Sequence, residues 1–194
     1  MRTHAILLIL PLFLLLTGCS DSTASSQSLS PSVAAKPLNT VDWSNSAYPV
    51  SCAGGVHNFQ ARGGQANDHG IHFEVYANKA VYGDLTAAGQ TQAVIPYSCT
   101  AADFGGVRTL IMTGDSSNRV IIGDLPLPAK AKTDNTLKDA DTIVIKNGEV
   151  SLSGRGYSSS APHCCPDLQM TQSYRWDGKQ FVLSHSTATK LSTH

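Results

Sequence analysis

Beyond Val41 no window of eleven or more residues carries a sustained helical stripe. Apolar residues come in short clusters dominated by β-branched side chains and separated by Gly, Asn, Asp and Ser, the pattern of short antiparallel strands. The spacing predicts a mainly β fold: a small antiparallel β-sandwich or meander-like domain with little helix, stapled by disulfides. Two hairpins set the register. Between Ile143 and Leu152 the Asn147-Gly148 pair suits a type I′ turn, where both central residues need positive φ. Lys146 then faces Glu149, Ile145 faces Val150 and Ile143 faces Leu152, so the four apolar side chains share one face. Around Asp177-Gly178 the same turn would oppose Trp176 to Lys179, Tyr174 to Phe181 and Gln172 to Leu183, with Tyr174, Trp176, Phe181 and Leu183 on one face.

Further strands are predicted at Phe73–Leu85, Ala93–Thr100, Val107–Thr113 and Arg119–Leu125, with a tight reversal over Gly114–Asn118. Pro126 and Pro128 break pairing into a polar loop, Lys130–Asp141, with room for one short helical turn. No second composition regime and no repeat is visible, so residues 41–194 read as one domain.

The first residues have a different character. Met1-Arg2-Thr3-His4 is a short basic start, and Ala5 to Leu16 is an apolar run interrupted only by Pro11. This is the layout of a secretory leader over residues 1–18. Its end, Leu16-Thr17-Gly18-Cys19, resembles the bacterial lipobox. The resemblance implies that Cys19 receives a diacylglyceryl group and becomes the acylated first residue, which anchors the chain to a membrane without spanning it. Residues 19–40, rich in Ser, Ala, Thr and Pro, read as a flexible tether reaching about 25 Å root-mean-square. The expected address is the bacterial cell membrane or outer membrane, on the extracytoplasmic side. Ser20 stands where an Asp commonly retains lipoproteins at the inner membrane, which favours the outer one in a cell that has two.

Composition narrows the function classes. Fourteen Lys and Arg balance fourteen Asp and Glu, which argues against a nucleic-acid partner. No stretch outside the first twenty residues is apolar for long enough to span a bilayer, which excludes a multi-pass membrane protein.

Four cysteines remain beside Cys19: Cys52, Cys99, Cys164 and Cys165. An even number in an exported chain suggests two disulfides, with three possible connectivities. Adjacent cysteines bond each other only in a strained ring. The expected bonds therefore join Cys52 and Cys99 each to one member of the Cys164-Cys165 doublet, at about 2–4 kcal/mol apiece. A rival reading is a metal site in which His163 joins the thiolates, although adjacent ligands are poorly spaced for zinc.

Several segments taken together resemble the LppP/LprE-type bacterial lipoproteins: the lipobox and polar tether, Tyr82-Gly83-Asp84-Leu85, Ala93-Val94-Ile95-Pro96-Tyr97-Ser98-Cys99, Cys164-Cys165-Pro166 and Tyr174-Arg175-Trp176-Asp177-Gly178. The resemblance spans Trp43 to His185. It implies a small envelope lipoprotein with no established enzymatic activity, supplies no catalytic residues, and supports a disulfide role for Cys99 and the doublet.

Candidate chemistry is sparse. Gly83-Asp84-Leu85-Thr86-Ala87-Ala88-Gly89-Gln90 is similar to calcium-binding FG-GAP-like loops, but Asp84 is its one carboxylate, so a metal-free turn is expected. Thr113-Gly114-Asp115-Ser116-Ser117 is similar to the nucleophile block of GDSL-type hydrolases, yet a strand follows it and no Asp-x-x-His completes the site. His69 and His72 converge on a metal only across a turn, and His57, His163 and His185 show no obvious partners. Tyr174, Trp176, Phe181, Trp43 and Tyr48 read as core rather than as a carbohydrate or lipid groove. Ser153-Gly154-Arg155-Gly156 reads as a place where the chain turns out of a strand. The expected role is non-enzymatic: binding or structural service at the envelope, with no cofactor. The rivals are an exported hydrolase using Ser116 and a metal-handling protein using His69, His72 and His163.

Overall fold

The computed structural model describes residues 36–102, 105–127, 135–162 and 164–192. The leader, Cys19, the tether up to residue 35, His163 and the first part of the Lys130–Asp141 loop lie outside them.

The domain is mainly β, as the clustering predicts. A separate hairpin, β1 (Ala47–Cys52) and β2 (Gly55–Gln60), precedes ten strands that form one sheet: β3 (Gln65–Asp68), β4 (Ile71–Val75), β5 (Val81–Gly83), β6 (Gln92–Thr100), β7 (Val107–Gly114), β8 (Arg119–Leu125), β9 (Thr136–Lys146), β10 (Glu149–Tyr157), β11 (Leu168–Trp176) and β12 (Phe181–Lys190). The sheet runs β12-β11-β10-β9-β7-β6-β4-β3, with β5 also on β6 and β8 also on β7. Pairing is antiparallel except between β7 and β9, which meet in a parallel bridge at Val107 and Asp139. The segment predicted as one strand over Phe73–Leu85 is split by a 3₁₀ turn at Ala77–Lys79, and the described part of the predicted Lys130–Asp141 loop is strand from Thr136 onward, the start of β9.

β6 is the centre of the domain, because apolar layers cover both of its faces. Ala93, Ile95, Tyr97 and Cys99 join Leu110 and Met112 of β7 in one cluster with Tyr48, Val50, Phe59 and Phe73. Val94 and Ile111 point the other way, into a second cluster with Leu125, Val150, Leu152, Met170, Tyr174 and Phe181. A strand buried on both faces reads as a continuous apolar run, which explains why Ala93–Cys99 lacks alternation. Pro96 sits within this central strand without breaking it. Its carbonyl accepts from the Tyr76 N–H, so its ring nitrogen faces the same edge, where the 3₁₀ turn separates β4 from β5 and no ladder donor is needed.

The first cluster also takes in Leu38 and Trp43, and the Ser116 N–H donates to the Lys36 carbonyl. The end of the expected tether, residues 36–40, thus packs with the domain. Phe73 stacks on Phe59 at 4.8 Å and lies 5.2 Å from Tyr48, so these aromatics are core.

The Asn147-Gly148 hairpin has the predicted register, Lys146 opposite Glu149, with φ of 52° and 75° in the turn. The Asp177-Gly178 hairpin does not. Trp176 faces Phe181 and Tyr174 faces Leu183 across a four-residue loop. The Asp177 carboxylate accepts from the Lys179 and Gln180 N–H groups, which favours the longer loop over a two-residue turn. A shift of two residues preserves the face, but Leu183, the third residue of the edge strand β12, is exposed.

Cys52 and Cys99 bond to each other, tying the β1–β2 hairpin to β6, and Cys164 bonds to Cys165. This overturns the expected crossed connectivity. Cys52 and Cys99 both point into the first cluster, whereas the doublet occupies an exposed loop between β10 and β11. Gly154 and Gly156 do not end a strand either. They lie within β10, where a side chain at 154 would strike the Asp139 carbonyl and one at 156 the Thr136 carbonyl, next to irregularities in the β9–β10 register.

Candidate functional site

Where β7 and β9 begin, the two parts of the large sheet meet at a seam. Here β7 gains its first link to β9 through the Asp139 carboxylate, which accepts from the Val107 N–H at 3.1 Å. Beside this link lies a cleft of about 180 Å³. Gly105 and Gly106 enter β7 along one wall, Pro126 leaves β8, Thr136, Leu137 and Lys138 open β9, and Tyr157 closes β10 opposite Thr136. Gly106 is small for a reason: a side chain there would press to 3.1 Å from the Lys138 carbonyl.

Two cations reach this cleft. The Arg108 Nε donates to Asp124 Oδ1 at 3.0 Å and its Nη2 to the Pro126 carbonyl at 3.4 Å. The Tyr97 hydroxyl donates to the same carboxylate at 3.1 Å. Burial pushes the Asp124 carboxyl up from its ordinary value, with Arg108 and Tyr97 opposing the shift. Burial also works against the Arg108 charge, but Asp124 and Tyr97 outweigh it and hold the guanidinium above its usual value. A half-buried pair of this kind contributes little net stability against apolar replacements, yet removing either member would strand the other charge. The second cation, Lys138, lies 5.4 Å from the centre of the Tyr157 ring. A hydrogen bond with Tyr157 holds its ammonium above the usual lysine value, against a small opposing effect of burial.

The lining is mostly apolar, and each of its two cations sits by a carboxylate, Arg108 by Asp124 and Lys138 by Asp139, so the cleft holds no excess of positive charge. The strand pattern placed Arg108 and Asp124 correctly on β7 and β8 without singling them out. Their signal was a charge inside a run of apolar strand residues.

The residues singled out from sequence fall elsewhere. Ser116 lies in the loop joining β7 to β8, where the Asp115 carboxylate accepts from the Ser117 and Asn118 N–H groups. Asp115 and Asp177 head loops of the same length and bonding, so the Gly-Asp-Ser-Ser segment is a hairpin connection. Among the described residues no side chain bonds to the Ser116 hydroxyl. Asp84 caps its own loop, accepting from the Thr86 and Gly89 N–H groups at 3.2 Å each. The buried Gln92 braces that loop by accepting from the Leu85 N–H.

His69 occupies a two-residue turn between β3 and β4, but its ring does not meet that of His72. His72 Nδ1 lies 3.0 Å from Asn67 Oδ1, and His69 Nε2 lies 3.5 Å from Asp68 Oδ1. His57, expected to lack a partner, has its Nδ1 3.0 Å from Asp68 Oδ2. Among the described residues no group of three His, Cys, Asp or Glu side chains is placed to hold a metal ion. Trp43, Tyr48, Tyr174 and Phe181 are buried, and Trp176 meets Phe181 edge-on at 5.2 Å.

Comparison with family models, with curated proteins and with solved structures found no match.

Proposed function

We propose that this chain is a lipid-anchored bacterial envelope protein whose folded domain binds rather than catalyses, held through Cys19 on the extracytoplasmic face of a membrane. The observation that carries the reading is the buried Cys52–Cys99 bond, which clamps the β1–β2 hairpin onto the central strand. Disulfides of this structural kind persist in oxidising compartments and are rare in the cytosol. The Leu16-Thr17-Gly18-Cys19 motif and the resemblance to LppP/LprE-type lipoproteins support the same placement. No helix among the described residues is long and apolar enough to cross a membrane, so attachment in this reading is left to the acyl chains. The cleft between Arg108 and Lys138 is the proposed binding site, and its mostly apolar lining with charge-matched cations favours a small, largely apolar molecule with a polar end.

Intact-mass analysis and detergent phase partition of the chain expressed in a bacterial host test the anchor. The expected product begins at Cys19, carries acyl mass and enters the detergent phase, while Cys19→Ser stays aqueous with its leader intact. Wild-type chain that retains Met1 and partitions into water would overturn the reading.

A further inference from the structure

The loop joining β10 to β11 holds a bond between neighbouring residues, Cys164–Cys165. It does none of what Cys52–Cys99 does. A disulfide constrains the unfolded chain by closing a loop, and this one closes no loop beyond its own ring, against a separation of 47 residues for the other pair. It fills no core, because both cysteines are exposed whereas Cys52 and Cys99 are buried.

The loop also has other ties to hold its form. The Ser158 N–H and hydroxyl both donate to the Asp167 carboxylate, at 2.8 and 2.7 Å. The Asp167 N–H donates to the Gly156 carbonyl, and the Leu191 N–H to the Asp167 carbonyl. Within the loop, the Ala161 N–H reaches the Ser158 carbonyl and the Cys165 N–H the Pro162 carbonyl. These bonds close the base of the loop through main chain and Asp167, so opening the sulfur bridge leaves the frame in place. Adjacency also sets the two Cα atoms 3.8 Å apart. That is below the range of about 4.4–6.8 Å that disulfides usually take, and bonds forced outside it are more readily reduced.

We propose that Cys164–Cys165 is a reversible redox site whose substrate is a dithiol. A thiolate of the dithiol attacks one of the two exposed sulfurs. The Cys164–Cys165 bond breaks, a mixed disulfide forms, and the other cysteine leaves as a thiolate that takes a proton. The second thiol of the donor, after losing its proton, attacks the donor sulfur of the mixed disulfide and releases the remaining cysteine, which is protonated in turn. Two electrons and two protons pass to the protein, and the donor becomes a disulfide. The reverse exchange with a disulfide oxidant restores the bond. Cys52–Cys99 is shielded from the same attack by the β1–β2 hairpin and β6. The site is independent of the anchor, since it requires only the folded domain.

Dithiothreitol at graded ratios to its oxidised form, followed by maleimide trapping and peptide mass mapping of the native mature chain, tests this. Cys164 and Cys165 are expected to label together at a dithiol ratio at least about tenfold lower than Cys52 and Cys99 require. Tryptophan fluorescence of the folded domain should stay unchanged, and oxidised dithiothreitol should restore the bond. Labelling of all four cysteines in one transition, or only once the domain unfolds, would overturn the proposal. The Cys164→Ser, Cys165→Ser double variant supplies a second readout. It should keep the wild-type thermal midpoint, and a clear drop would assign the bond a structural role instead.

Discussion

Removing Cys52–Cys99 is the sharpest test of how this domain is held together. The bond joins residues 47 apart and fastens a hairpin that otherwise lies outside the ten-stranded sheet. Closing a loop of that length lowers the entropy of the unfolded chain by an amount equivalent to about 4 kcal/mol at 25 °C. The Cys52→Ala, Cys99→Ala double variant also removes two buried sulfurs, adding about 1 kcal/mol for lost packing. The total, about 5 kcal/mol, is a large part of the 5–15 kcal/mol that roughly spans native stabilities. It corresponds to a fall in Tm of about 10–20 °C for a domain of this size. Urea unfolding followed by tryptophan fluorescence reads the change, because Trp43 reports the hairpin side and Trp176 the opposite cluster. The Cys164→Ser, Cys165→Ser variant should stay within about 0.5 kcal/mol of wild type. A loss below about 1 kcal/mol in the alanine variant, or equal losses in both variants, would refute the loop-closure reasoning.

The buried tyrosines predict a steep alkaline limit. Burial raises the phenols of Tyr48 and Tyr97 well above their ordinary value, with Asp124 adding to the effect at Tyr97, and pushes Tyr174 up to about 12. Unfolded tyrosines release their protons near pH 10 while these three stay protonated in the native state, so stability falls as pH rises past that point. With three protons released on unfolding the slope approaches about 4 kcal/mol per pH unit. Phenolate absorbance should then show three of the six tyrosines ionising together with loss of the fold; smooth titration of all six near pH 10 in folded protein would sink the idea. The glycines give a paired comparison: Gly154→Ala, which strikes the Asp139 carbonyl, should cost about 3 kcal/mol or more, whereas Gly178→Ala, at φ 102° in open space, should cost about 1 kcal/mol. Thermal unfolding measures both, and equal losses would contradict the close approach of β9 and β10.

Local signals were legible where neighbours in sequence decide the outcome. Asn147-Gly148 specifies its hairpin because positive φ at two consecutive residues is cheap there, and the flanking alternation selects one register. The turns at Ala53-Gly54 and His69-Gly70 have the same two-residue form and positive φ, but Ala carries a weaker signal, so β1 to β3 were missed while most of β4 fell inside the predicted Phe73–Leu85 strand. At Asp177 the dipeptide looked like a two-residue turn, and side-chain acceptance from two N–H groups selected a longer loop. The cleft was not legible as a site, since Arg108, Lys138 and Tyr157 come from strands that meet only in the folded sheet.

Alternating apolar clusters and turn residues were enough, by themselves, to determine that this chain is mainly β and to place β6, β7, β8 and the β9–β10 hairpin. These depend on the short-range stereochemistry of the backbone and on the period of the side chains. Only the tertiary structure decided which cysteines bond, that β6 is covered on both faces, and that Gly154 and Gly156 serve close packing inside a strand. Each of those outcomes turns on which distant strands lie side by side, and an element's own residues carry its shape without naming its neighbour.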